Sequence, residues 1–116
     1  SGPFHCELMN KATIKMEPEI KKLKFNIFKN ILISNVTANE MKNSEEIKQL
    51  LIKQIESRVR WRESIIYMIK KGVNHFIEIG PGKVLSGLIK RIDKTVIVDA
   101  INSEEDINNI KKNDKF

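Results

Sequence analysis

The sequence predicts an α/β fold with short parallel strands near 31–35, 75–79 and 95–99 and helices flanking them. Three observations carry this. In residues 75–79, HFIEI, the apolar run Phe76, Ile77 and Ile79 is broken only by Glu78, and it is long enough for a buried parallel strand and too short for a helix. Gly80-Pro81-Gly82 stops that run, and apolar residues then recur at Val84, Leu85, Leu88, Ile89 and Ile92 as a helical stripe. Thr95 to Asp99, TVIVD, supplies the next strand. Strand, helix, strand is a βαβ unit, whose crossover should be right-handed.

The remaining elements follow from the same periodicities. Leu8, Met9, Ala12, Met16, Ile20 and Leu23 share one helical stripe, which Pro18 should kink or divide. Ile31 to Ile33 is β-branched or apolar and is bounded by Asn30 and Ser34-Asn35, which suits a short strand. Ser44 is placed to cap a helix whose Glu45 and Glu46 suit its positive end; Ile47, Leu50, Leu51 and Ile55 are its apolar face, and it fades at Ser57. A further helix runs from about Arg60 to Lys71 on Trp61, Ile65, Met68 and Ile69, with Gly72 as its stop. Ser103-Glu104-Glu105 starts a last helix, and 111–116 reads as a charged, fraying tail. Three strands make a small α/β sheet, and the chain starts with Ser inside what looks like a motif. Both features lead us to expect part of a larger fold.

Length and charge bound the function. The 116 residues suffice for one modest core, and the net charge of +6 favours acidic partners such as nucleic acid, anionic membrane, an acidic protein or a phosphorylated ligand. Basic and acidic residues are interleaved almost everywhere, with no basic stripe carrying interleaved aromatics, so nucleic acid is not the expected partner. The longest run free of strongly polar residues, 65–69, is far short of a membrane span, and no membrane partner is expected. The single cysteine, Cys6, excludes an internal disulfide and a cysteine-based zinc cluster, and fits a reducing cytoplasm.

Few residues are candidates for chemistry. His5 follows Gly-Pro-Phe and precedes a helix, a junction that often carries function, yet from composition alone it stays open between a catalytic base and an ordinary polar residue. His75 has no acid or cysteine near it in sequence and reads as structural. A G-x-S-x-G nucleophile elbow is absent, and Ser86 falls within a predicted helix. Cys6 adjoins His5 but does not face it at a helix start, so it reads as a small packing residue. No metal-ligand spacing occurs. Gly80-Pro81-Gly82 ahead of a helix could cradle phosphate, but it lacks the spacing of either phosphate-loop motif and reads first as a structural turn. Arg58, Arg60 and Arg62 around Trp61 are open between a solvated basic rim and internal packing.

Four motifs then occur in order: S-G-P-F-H-C at 1–6, I-S-N-V-T-A at 33–38, V-R-W-R-E-S-I-I-Y-M at 59–68 and F-I-E-I-G-P-G-K-V-L-S-G-L-I-K-R-I at 76–92. Together they resemble the C-terminal part of the malonyl-CoA:acyl-carrier-protein transacylase family, over roughly residues 1–101. The resemblance implies that residues 1–102 are the C-terminal portion of an α/β-hydrolase-like large subdomain, with 103–116 a terminal helix and tail. It implies transfer of malonyl from malonyl-CoA to the phosphopantetheine thiol of acyl carrier protein through a seryl ester, without a cofactor. By motif match His5 is the general base, Gln54 orients it through its main-chain carbonyl, and Asn35 lines the site. The nucleophilic serine, the arginine for the malonyl carboxylate and the oxyanion-hole amides would belong to the N-terminal part of the same enzyme, so this stretch alone should be inactive. Cys6 stands where a serine is common, and Arg58 where a proline usually precedes V-R-W. The acyltransferase domain of a polyketide synthase is the alternative implied by the same residues, and a non-catalytic basic binding domain stands well behind both.

Overall fold

The computed structural model describes residues 2–26 and 28–112. A 3₁₀ turn at Glu7–Met9 leads into α1 (Asn10–Lys22), followed by α2 (Ser44–Gln54), α3 (Trp61–Lys70), β1 (His75–Ile79), α4 (Val84–Ile92), β2 (Ile97–Ile101) and α5 (Glu104–Lys112). The chain divides into two compact units, Ser1–Tyr67 and Met68–Phe116. The class is mixed α/β, as expected.

In the first unit α1 packs on α2. Ile47 and Leu50 of α2 are buried, as their stripe requires; of the first expected stripe Ile20 is buried and Met9 and Ala12 are half-buried, whereas Leu8, Met16 and Leu23 stay exposed. Pro18 does not divide α1, which runs unbroken across it. Pro18 and Ile14, whose carbonyl loses its helical donor, are both exposed, so water can take that acceptor. The cap of α2 lies one residue earlier than expected. Asn43, not Ser44, is extended and accepts from the Glu46 N–H, while the Glu46 carboxylate accepts from Lys42 N–H at 2.6 Å. That reciprocal pair is a capping box shifted by one position. The helix ends at Gln54 rather than fading at Ser57.

The strand expected at 31–35 does not form. Ile33 makes a single antiparallel bridge to Glu40, and the chain reverses between them. Ser34 N–H donates to Asn39 O and Met41 N–H to Leu32 O, both at 2.9 Å. The cause is local. Ser34 Oγ accepts from the N–H groups of Val36 and Thr37, giving the backbone a turn in place of a ladder. Ile31, 73% exposed, has no sheet neighbour among the described residues. Among the described residues the sheet therefore has two strands where three were expected.

In the second unit β1 and β2 pair in parallel, with His75 opposite Ile97 and Ile77 opposite Asp99. β1 has the bounds read from the sequence. β2 begins two residues later than expected, because the Asp93 carboxylate accepts from Thr95 N–H and Oγ–H and holds that residue in a turn. α4 covers both strands and α5 lies on β2. Phe76, Ile89, Val96 and Ile110 form this unit's buried core. Asp106 accepts from the N–H groups of Asn102 and Ser103 and anchors the start of α5. Residues 113–116 of the expected tail lie outside the described residues. Ile79 and Leu8 remain 80% and 77% exposed.

Candidate functional site

The site is built at the end of α2. The last carbonyls of a helix have no intrahelical donor, and the dipole makes that end partly negative. The main-chain oxygen of Gln54, the final residue of α2, sits 2.8 Å from Nδ1 of His5. A carbonyl can only accept, so Nδ1 carries the proton and Nε2 of the neutral ring carries the lone pair. Gln54 turns its side chain elsewhere: its Oε1 lies 3.5 Å from Asn35 Nδ2, the long limit of a hydrogen bond. The structure thus brings together His5, Gln54 and Asn35, all three named from the sequence.

His5 is presented in an unusual way. It is exposed, and its φ of 58° is left-handed, a conformation that costs an L-residue about 1–2 kcal/mol. Among the described residues only Ala38, with φ 56°, is another non-glycine of this kind, and it lies in the turn that carries Asn35. A second tie joins the same two segments, since Asn10 Nδ2 donates to Glu56 Oε1 at 3.2 Å. Cys6 donates to Pro3 O at 3.2 Å, which occupies its thiol locally.

The arginines around Trp61 divide. Arg60, its side chain 41% exposed, reaches the neighbouring turn: its N–H donates to Asn35 O at 2.8 Å and its Nη1 to Thr37 O at 3.2 Å. Arg58 stays 80% exposed at the side chain, and both it and Arg60 reach Glu63 Oε1, at 3.2 and 3.3 Å. The Glu63 backbone N–H, then the nearby guanidiniums, hold that carboxyl below its usual range. Arg62 is exposed. The roles of Arg60 and Glu63 around Asn35 were not read from the sequence. Their i,i+3 spacing was the available signal, but nothing local indicates which carbonyls the guanidinium meets.

The Gly80-Pro81-Gly82 turn is occupied from within. Glu78 on β1 accepts from Leu85 N–H, Ser86 N–H and Ser86 Oγ–H, at 3.1, 2.7 and 2.6 Å, and Gly82 N–H donates to Asn102 Oδ1 at 2.6 Å. A carboxylate already sits on the first turn of α4, where a phosphate would have to bind. His75 Nε2 lies 2.8 Å from Asp99 Oδ2, so its acid comes from the neighbouring strand and not from nearby sequence. No group of three or more potential metal ligands occurs among the described residues, and no described helix is long and apolar enough to cross a membrane.

Comparison with known proteins adds the family. No protein-family model matches the chain. A malonyl CoA-acyl carrier protein transacylase of Bacillus subtilis is 44% identical over 107 residues, which is 92% of this chain and 34% of that protein. The Staphylococcus aureus protein of the same name is 40% identical over 98% of this chain and 37% of its own length. The solved MCAT structure from Streptococcus pneumoniae superposes with a TM-score of 0.90 at 38% identity, over 97% of this chain and 37% of that one. A malonyl-transacylase solved in complex with a type II PKS acyl-carrier protein gives a TM-score of 0.91 at 32% identity, over 98% and 37%. The chain thus spans about a third of the length of the curated relatives it matches. In both sequence and fold, it matches the C-terminal part of malonyl CoA-acyl carrier protein transacylase.

Proposed function

We propose that this chain is the base-bearing part of an enzyme that moves malonyl from malonyl-CoA to the phosphopantetheine thiol of an acyl carrier protein through a seryl ester. One observation carries the reading: His5 Nδ1 is held 2.8 Å from the Gln54 carbonyl, which leaves Nε2 as the proton acceptor. The names of the relatives supply the substrates. The nucleophile in this reading is a serine outside these 116 residues, because no G-x-S-x-G occurs among them.

His5 Nε2 takes the serine hydroxyl proton as the oxygen bonds to the thioester carbonyl carbon. Collapse of the tetrahedral adduct breaks the carbon–sulfur bond, and the same proton returns from Nε2 to the coenzyme A thiolate. In the second half-reaction Nε2 accepts the proton of the phosphopantetheine thiol as its sulfur bonds to the acyl carbon of the seryl ester; collapse breaks the bond between that carbon and the serine oxygen, which takes the proton back from Nε2. Gln54 keeps the ring in one tautomer throughout by means of its backbone alone. The reaction so written uses no cofactor and belongs in the cytoplasm.

The test is intact-mass detection of a malonyl ester on the whole protein after malonyl-CoA is added, and its disappearance when holo carrier protein follows. Failure of any ester to form would overturn the proposal. Polyketide carrier proteins are the second class of acceptor, favoured by the neighbour solved with a type II PKS carrier. Transfer rates to a fatty-acid and a polyketide carrier, measured side by side, separate the two.

A further inference from the structure

We propose that Arg60 is a positioning residue for the His5–Gln54 pair, acting as a clamp on the two segments that meet at Gln54; the catalytic part of this inference rests on the function proposed above. Its backbone and side chain act in different directions. The Arg60 N–H donates to Asn35 O at 2.8 Å, and its carbonyl accepts from Ser64 N–H and Oγ–H at 3.0 and 2.9 Å. Ser64 is 3% exposed, so that end of the clamp is fixed in the interior. The guanidinium donates from Nη1 to Thr37 O and from Nε to Glu63 Oε1, at 3.2 and 3.3 Å.

The Thr37 carbonyl belongs to the peptide that enters Ala38, the left-handed residue of the turn. A left-handed alanine persists only where its surroundings over-determine it. Three donors do so here: Arg60 Nη1 and Asn39 Nδ2 on Thr37 O, and Ala38 N–H on Ser34 O. That turn carries Asn35, whose side chain faces that of Gln54. Arg60 also closes the 55–60 connection, whose other end follows directly on Gln54, the residue that holds His5. One residue therefore acts at both places: its side chain holds the turn beside Gln54, and its backbone holds the far end of the segment leaving it. Glu63 keeps the guanidinium in place and is shared with Arg58. Lysine cannot repeat the arrangement, because one ammonium has no planar fork to span Thr37 O and Glu63 Oε1 at a fixed spacing.

The experiment uses the whole protein with ¹⁵N-labelled histidine, comparing wild type with Arg60→Met and Arg60→Lys. Circular dichroism establishes that each variant is folded. The His5 signal, assigned with His5→Gln, reports which ring nitrogen carries the proton. We expect the wild-type ring to be protonated at Nδ1, and Arg60→Met to show a mixture with the Nε2 form. Single-turnover acylation by malonyl-CoA should fall about ten- to a hundredfold, as misplacement of a catalytic group does. KM should stay within about twofold, because Arg60 does not touch substrate in this account. Arg60→Lys should fall between the two, and it decides the matter if Arg60→Met fails to fold. Wild-type tautomer in a folded variant overturns the clamp, whatever the rate. A shifted tautomer with an unchanged acylation rate upholds the clamp and overturns instead the reading of His5 as base.

Discussion

Glu78, in β1, spreads its carboxylate over the first turn of α4, accepting both the hydroxyl and the backbone N–H of Ser86 and the backbone N–H of Leu85. A strand thereby caps the helix that follows it. Ser86 and Leu85 together hold the carboxyl below its usual range, the Ser86 hydroxyl foremost. A carboxylate whose folded pKa is depressed contributes stability above its unfolded pKa, and that contribution is lost as pH falls through the folded value. Glu78→Gln should therefore lower the melting temperature at neutral pH, and the gap to wild type should close below the ordinary carboxylate range. A gap that stays constant from neutral to acidic pH would show that the charge on Glu78 does not matter.

The βα turn was legible in the sequence, and its occupant was not. The run Phe76 to Ile79 and the Gly80-Pro81-Gly82 stop define β1 and α4 because strand and helix periodicities change over within a few residues. The carboxylate on α4 depends on which way Glu78 points, which periodicity leaves open. Residues 31–35 failed as a strand for the complementary reason. Propensity there is local, but a strand exists only with a neighbour, and Ser34 offered the backbone a nearer partner. His5 and Gln54 stand 49 positions apart, and the bond joining them uses a main-chain atom. No side-chain pattern could reveal that, and only the family resemblance brought the two residues together. The contact of the Arg60 side chain was unreadable for a similar reason, since its carbonyl acceptor, Thr37 O, lies 23 positions away in a turn that no local pattern places beside it.

His75 and Asp99 sit diagonally across the parallel pair, because Asp99 lies opposite Ile77. Their side chains are 21% and 19% exposed, partly screened from water. A double-mutant cycle with His75→Ala and Asp99→Ala should give a coupling of about 0.2–1 kcal/mol, the range for cross-strand pairs. Strict additivity would mean that the contact adds nothing to the sheet.

Arg62 and Arg58 test the basic balance differently. Reversal of Arg58 also breaks its contact with Glu63, whereas Arg62 is exposed and offers the cleaner probe. Arg62→Glu should raise KM for an acidic carrier protein roughly two- to tenfold at low salt, less at moderate salt, and leave acylation by malonyl-CoA intact. Insensitivity to both the reversal and salt would make these arginines ordinary surface residues.

Gln54 acts through its carbonyl in this account, so its side chain should be largely dispensable. Gln54→Ala should reduce malonyl transfer by no more than about tenfold, well short of the loss of a general base. A loss equal to that of His5→Ala would mean that the amide, and with it the long contact to Asn35, takes part directly.

His5 as the proton acceptor is the claim on which the rest depends. The direct measurement is the single-turnover rate of malonyl transfer to serine in the whole protein, wild type against His5→Ala, with folding verified for both. The account predicts a fall of about two to four powers of ten, the usual worth of a general base, with malonyl-CoA still bound. A folded His5→Ala protein that acylates at a rate near wild type would contradict it.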